Sequence, residues 1–302
     1  MGVISPVGND VNTFWSNLCN GVCGIDHIKS FPTDNLPIGI AGIIKDFKAE
    51  EYGMDKPFIR KQDLFTQYGV AAAYQAMKQS GLSSQGENKN IDPFRLGVYF
   101  GSGIGGFATQ YREISKMIED PSGQWISPLF IPTMISNIAA GHIAILNNAQ
   151  GPCLDIVTAC ATSTNAMGEA FRAIRNGYAD AIITGGCENA TIPIGIVGFA
   201  NAKALSRATD PNYASLPFNG NRAGFVMADG SAALVLEEYE HAKARGAQIL
   251  GEMVGYGNTC DAYHSTAPRP DGTTQAKCIE LALEEAGFDK EKDNLYINAH
   301  GT

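Results

Sequence analysis

No run of eighteen apolar residues occurs anywhere in the chain, so no segment is long enough to cross a membrane as a helix. Positive charge is also in short supply. Lys and Arg number 22 against 31 Asp and Glu, for a net charge of −9 at pH 7. A field of that sign repels polyphosphate at long range, which argues against nucleic acid as a partner. An acidic partner would have to dock on a local basic patch. Paired cysteines are missing too: there are seven, an odd and scattered set with no disulfide framework. Cys19 and Cys23 stand four apart, but no second Cys/His pair follows at zinc-ligand spacing, so no metal site is expected. Free thiols in a chain without a signal peptide point to a reducing cytosol, and the expected location is cytoplasmic. Low-complexity tracts and short repeats are absent.

What remains is the composition of a soluble globular protein, 302 residues with 44% hydrophobic and 18% charged, enough for one large domain or two ordinary ones. Glycine is plentiful at 34 residues, as expected where strands meet tight turns and backbone closes on a ligand. From Leu64 to Gly81, residues Phe65, Tyr68, Ala72, Ala76 and Met77 fall at helical spacing, and Ser80-Gly81 is a stop. A loop rich in Ser, Gly and Asn follows, then an apolar strand, "LGVYFGSG", running into glycines. Met167, Ala170, Phe171 and Ile174 mark one face of a second helix, closed by Asn176-Gly177. "ADAIITGG" reads as a buried strand. Strand, corner, helix and strand make a βαβ unit, which implies parallel strands covered by helices. After it come an apolar strand, a charged helix from about Glu238 to Arg245 stopped by Gly246, and a further strand. The fold class is layered α/β. A boundary falls near residue 250, where "ILGEMVGYGN" opens as the first strand of a new half.

"DIVTACATST", residues 155–164, holds the leading candidate for chemistry. A strand over Leu154–Thr158 is expected to run into a helix that begins at or just after Cys160. Unpaired N–H groups and the dipole at such a helix start favour thiolate over thiol. They can also hold an oxyanion when a thioester carbonyl is attacked. The alternative is a small apolar cysteine in the core, and spacing alone leaves both open. A thiol nucleophile wants a helper. His27 and His241 read as solvated, His142 in "NIAAGHIAIL" as a core histidine, and His264 in "DAYHSTAP" stays open. His300, in "LYINAHGT", follows an apolar strand, and strand ends are where α/β sheets place chemistry. "GSGIGG" at 101–106 matches G-x-G-x-x-G. A dinucleotide reading needs a helix straight after it and an acidic residue on a strand about twenty residues on, but Asp120 heads a turn instead. The other reading is a backbone that must pass close to another segment or a ligand.

Taken in order, "SPVG", "GSGIGG", "GPCLDIVTACATS", "GGCENA", "GFANAKALS", "ADGSAALVLEEYEHAKARGA", "DAYH" and "NAHGT" resemble the β-ketoacyl-acyl carrier protein synthases, nearest to the elongating synthase II type. The resemblance covers essentially the whole chain. It implies a thiolase-like layered fold of two similar halves, here residues 1–248 and the start of the second, 249–302. It implies a cytoplasmic homodimer that condenses malonyl-carrier protein with an acyl group, without a cofactor of its own, because phosphopantetheine arrives on the carrier. In that resemblance Cys160 is the acyl-accepting cysteine. His300 is the first of two histidines that assist decarboxylation and stabilise the enolate. Thr302 contacts the pantetheine arm, Ile104 lines the acyl pocket, and Phe199 stands beside the cysteine. Arg60, Lys61 and Lys203 fall at carrier-docking positions. A polyketide ketosynthase shares these residues. A non-catalytic partner subunit that sets chain length usually lacks the cysteine. Ala223, in "NRAGFVMADG", stands where relatives usually carry an acidic residue. The family also has a first strand before this N-terminus and roughly a further quarter of its length beyond Thr302, with the second histidine, a lysine and a glycine-rich gate. The expectation is therefore a fragment that condenses poorly and aggregates.

Overall fold

The computed structural model describes residues 1–82 and 90–301. Most of the polar loop expected after Gly81, and Thr302, lie outside the described residues. The described chain forms two compact units, Met1–Ala247 and Gln248–His300. The strands are β1 Gly2–Ile4, β2 Asp26–His27, β3 Ile40–Ala41, β4 Leu96–Gly101, β5 Cys153–Leu154, β6 Ala181–Glu188 and β7 Gly230–Glu237. The α-helices are α1 Val11–Cys19, α2 Lys56–Lys61, α3 Leu64–Ser80, α4 Phe107–Glu119 and α5 Phe130–Met134. They continue with α6 Ile138–Leu146, α7 Thr162–Arg175, α8 Pro193–Asn201, α9 Tyr239–Ala244 and α10 Thr273–Ala286.

The first unit is built on a five-stranded sheet in the order β1-β7-β6-β4-β5. β4 pairs parallel with both β5 and β6, whereas β7 runs antiparallel to β6 and β1. Two crossovers follow from this order. α4 to α6 carry the chain from β4 to β5, and α7 carries it from β5 back to β6. Side chains alternate across the sheet as a pleat requires. Val98, Phe100 and Ile183 join α3 and α6 in one core, whereas Tyr99 and Ile182 join Ala170 and Ala173 of α7 in another. The first unit is thus three layers, helix, sheet and helix. Gly2–Ile4 supply a three-residue edge strand where the family resemblance suggested the first strand would be missing.

Two local expectations are corrected. α7 buries Ala166, Gly168, Ala170 and Ala173, while the larger Met167, Phe171 and Ile174 are only half-buried. Small residues let the helix axis approach the sheet, and the bulky ones flank that contact. β5 stops at Leu154 rather than running to Thr158. Beyond the Tyr99–Leu154 pair the chain leaves the ladder, and the Ile156 carbonyl lies where a Cβ on Gly101 would be.

In the second unit α10 runs between Gly272 and Gly287, both with positive φ. The segment 255–257 lies on this helix. Cβ atoms on Gly255 and Gly257 would overlap the Ala282 and Cys278 carbonyls, and the Tyr256 N–H donates to Glu285 Oε2 at 2.8 Å. Neither 249–257 nor 295–298 forms the strand its apolar pattern suggests. A strand exists through a ladder of paired backbone groups, and among the described residues no strand forms a ladder with either segment. No helix among the described residues is long and apolar enough to cross a membrane.

Candidate active site

Cys160 lies at the C-terminal ends of the parallel strands, in a single 3-10 turn, Ala159–Ala161, that leads directly into α7. It is exposed, so the core reading fails for it. Cys187 on β6 is the cysteine that fits that reading: it is buried, and burial pushes its thiol well up. Ala159 carries a φ of +50°, a left-handed conformation that costs an L-residue on the order of 1–2 kcal/mol. This bend breaks the extended chain and presents the next side chain outward. Thr158 N–H donates to Thr162 Oγ1 at 2.9 Å and braces the bend. α7 has no side-chain cap and no acidic residue in its first turn. Its first amide, Thr162 N–H, donates to the Ala159 carbonyl of the preceding 3-10 turn, and no acidic side chain opposes negative charge at this helix start.

Two bare strand ends bring this helix start down onto the sheet. A Cβ on Gly101 would overlap Thr162 Cγ2, and one on Gly186 would stand 2.7 Å from Ser163 Oγ. This explains the glycines of "GSGIGG" without a dinucleotide. α4 does follow them directly, but Asp120 is its C-cap and no strand carries it. The loop instead passes close to its neighbours. A Cβ on Gly103 would lie 3.0 Å from Glu188 Oε2 and 3.7 Å from the Ala159 carbonyl. Ile104 projects from this loop, 37% exposed.

Three carboxylates that the sequence reading did not single out stand around this loop, and Glu188 holds it directly. Glu188 accepts from Ser102 Oγ at 3.2 Å and from Ile104 N–H at 3.1 Å. Burial raises its pKa, and the hydrogen bonds from Ser102 and the loop amides pull it back. Asp155 likewise is raised by burial and opposed by Ser136 Oγ, which donates to it at 2.5 Å. Asp63 caps α3 and accepts from both the N–H and the hydroxyl of Thr109, at 2.9 and 2.7 Å. The signal available in sequence was an acidic residue at the end of an otherwise apolar strand, as in "GGCENA".

The other predicted residues are spread out. Phe199, on α8, packs edge-to-face on Phe225 with ring centroids 5.6 Å apart. Lys203 follows that helix with φ +58° and is exposed. Arg60 and Lys61, in the last turn of α2, line a cleft of about 170 Å³ with Gln62, Thr109, Arg112 and Ser127. His300 belongs to the second unit and is exposed. His142 packs on Phe58 at 4.9 Å, and burial lowers its pKa. His241 is not simply solvated: its Nδ1 lies 2.6 Å from Glu237 Oε1, in a cluster closed by Arg245. His264 Nδ1 accepts the Thr266 and Ala267 amides.

An exposed cysteine on a strained bend, at a helix start without a side-chain cap over parallel strand ends, suits a thiol nucleophile in an α/β enzyme. Comparison with known proteins specifies which. Residues 1–242 match the β-ketoacyl synthase N-terminal domain, and residues 250–302 match its C-terminal domain. The chain belongs to the β-ketoacyl synthase family. It is 46% identical over its whole length to a 3-oxoacyl-[acyl-carrier-protein] synthase 2 of Vibrio cholerae, of which it spans 72%. A β-ketoacyl synthase structure from Burkholderia phymatum superposes with a TM-score of 0.88 at 29% identity, over 100% of this chain and 72% of that one. A type II PKS ketosynthase solved in complex with its acyl-carrier protein superposes with a TM-score of 0.84 at 30% identity, over 95% of this chain and 68% of that one.

Proposed function

We propose that the protein is an acyltransferase of fatty acid elongation, a 3-oxoacyl-acyl carrier protein synthase of the second type. The observation that carries this is Cys160, exposed at the uncapped start of α7. Its sulfur attacks the thioester carbonyl of an acyl-carrier protein and expels the carrier's thiol, leaving the acyl group on Cys160. Malonyl-carrier protein then loses carbon dioxide. The resulting enolate carbon attacks the acyl-Cys160 carbonyl, the C–S bond breaks, and a 3-oxoacyl-carrier protein two carbons longer departs. Covalent capture divides one three-body encounter into two ordinary ones.

The resemblance assigns His300 to stabilising the enolate through an imidazole N–H. It assigns Ile104 and Phe199 to the acyl chain and Thr302 to the pantetheine arm. Residues 1–248 are taken as the first half and 249–302 as the opening of the second. Arg60, Lys61 and Lys203 receive the acidic carrier, and phosphopantetheine comes with it. A cytoplasmic homodimer is the accompanying assembly. The exposed outer edge strand β5, with Leu154 open to solvent, supports it. The presence of Cys160 weighs against a non-catalytic partner subunit.

Mass spectrometry after incubation with an acyl-carrier protein tests the reading. The wild-type chain gains the mass of the acyl group, and Cys160→Ala does not. A wild-type chain that takes no acyl group overturns the proposal.

A further inference from the structure

Glu188 is a half-buried carboxylate at the last position of β6, and among the described residues no Lys, Arg or His forms an ion pair with it. A desolvated charge is costly unless hydrogen bonds repay it. Here all but one of the donors come from the glycine loop, the exception being the backbone N–H of the adjoining Asn189. Ser102 Oγ reaches Oε1 at 3.2 Å, and the Ile104 N–H reaches Oε2 at 3.1 Å. The Ser102 hydroxyl is 1% exposed and also accepts the Gly105 N–H at 2.9 Å, closing the loop on itself. Gly105 turns there with φ +80°, a conformation open to glycine at little cost. The loop is thus fastened at residues 102, 104 and 105 by one carboxylate and one hydroxyl. Gly103, between these fastenings, faces both Glu188 and Ala159, the residue before Cys160: a Cβ there would lie 3.0 Å from Glu188 Oε2 and 3.7 Å from the Ala159 carbonyl.

We propose that Glu188 is a positioning residue that, through Ser102, fixes the 102–105 loop against the Cys160 turn, and so sets where Ile104 stands and which acyl lengths Cys160 accepts. The inference rests on the condensing reading above for the role of Ile104. The clamp itself does not depend on that reading. Removing the carboxylate leaves the Ile104 N–H and the Ser102 hydroxyl without their acceptor, and the loop loses two of its fastenings. A glutamine at 188 keeps an oxygen for the Ile104 N–H. The Ser102 hydroxyl can then rotate to accept from the new amide, so glutamine restores the clamp without the charge.

Two measurements on the full chain decide it. Hydrogen exchange at the Ile104 and Gly105 amides accelerates by about tenfold or more in Glu188→Ala and stays near wild type in Glu188→Gln. Acyl transfer to Cys160 from butyryl- and palmitoyl-carrier protein gives a ratio of kcat/KM values. That ratio shifts by about tenfold in Glu188→Ala and returns in Glu188→Gln. Ser102→Ala shifts both readouts in the same direction and carries the test if Glu188→Ala does not fold. Unchanged exchange in the variants overturns the clamp. Accelerated exchange with an unchanged length ratio, or an equal loss for both acyl groups, overturns the assignment to acyl selection. A wild-type chain that accepts neither acyl group overturns the condensing reading, and with it the selection role, while the exchange result still judges the clamp.

Discussion

Gly185 stands inside β6 with φ +154°, in register with Phe100 of β4 on one side and with Ala233 of β7 on the other. A Cβ there would overlap the Ala232 carbonyl and approach Phe100 Cε2 to 2.9 Å. Both obstacles are part of the sheet or its core, so neither can swing away. Gly185→Ala is expected to lower stability by about 3 kcal/mol, read as a lower urea midpoint at unchanged m-value. Gly198→Ala is the contrast, since Gly198 lies within α8 and a Cβ there meets nothing within 4 Å. That change should raise stability by roughly 0.5–1 kcal/mol, the helix propensity difference. Equal effects at the two positions would mean that close packing at Gly185 does not govern the first. The same distinction applies at Cys160 and Cys187. Residue type is shared, and exposure on a strained bend separates the proposed nucleophile from a core thiol.

At the scale of elements, α4 shows how a buried charge ties a helix to the segment after it. Glu113 is 1% exposed and accepts from Lys116 Nζ, Arg112 Nε and the Ser127 N–H. Burial pushes its pKa up, but these three donors outweigh that and hold it at about 2, against an ordinary value of 4.5. The unfolded chain therefore binds this proton more readily than the folded one. The stabilisation is complete above pH 4.5 and is lost as pH falls toward about 2. It amounts to on the order of 2 kcal/mol, because the Lys116 and Arg112 side chains are partly open to solvent. Glu113→Gln should lose that amount at neutral pH and lack this part of the acid dependence in denaturant titrations. A variant as stable as wild type at pH 7 would show that the three donors contribute nothing net.

Helices of this size were legible because their signals are local. α3 begins after Asp63 and ends at Gly81, α7 ends at Asn176-Gly177, and α9 lies between Glu238 and Gly246, as capping and periodicity indicate. Strands were less legible. Leu154–Thr158 alternates like a strand but leaves the ladder over Gly101, and 249–257 has the composition of a strand without a pairing partner among the described residues. Composition states a preference, whereas pairing is made by distant residues. The site divides the same way. Cys160 was visible as a strand-to-helix corner. Glu188 was not, since its burial and its partners arise only when a loop 84 to 86 residues earlier in the chain folds onto β6.

For the whole molecule the governing quantity is net charge, −9, set against the acidic carrier that the family resemblance implies. Arg60 and Lys61 make no ion pair among the described residues and stand together at the end of α2, so their charge is free to attract. Attraction by that patch acts at short range, and repulsion by the whole chain acts at long range. Salt screens the two at different concentrations. At about 0.01 M the Debye length is about 30 Å and the carrier feels the full negative field, whereas at about 0.1 M it is about 10 Å and the patch dominates. At about 1 M even the patch is screened. The association rate with an acyl-carrier protein is therefore expected to rise, pass a maximum near 0.1 M and fall, as steering by a local patch requires. Arg60→Glu with Lys61→Glu should remove the falling limb, leaving a rate that only rises with salt, and should raise KM by about tenfold with kcat little changed. Stopped-flow binding across ionic strength measures both curves. A double variant that retains the wild-type maximum would place docking elsewhere on the surface.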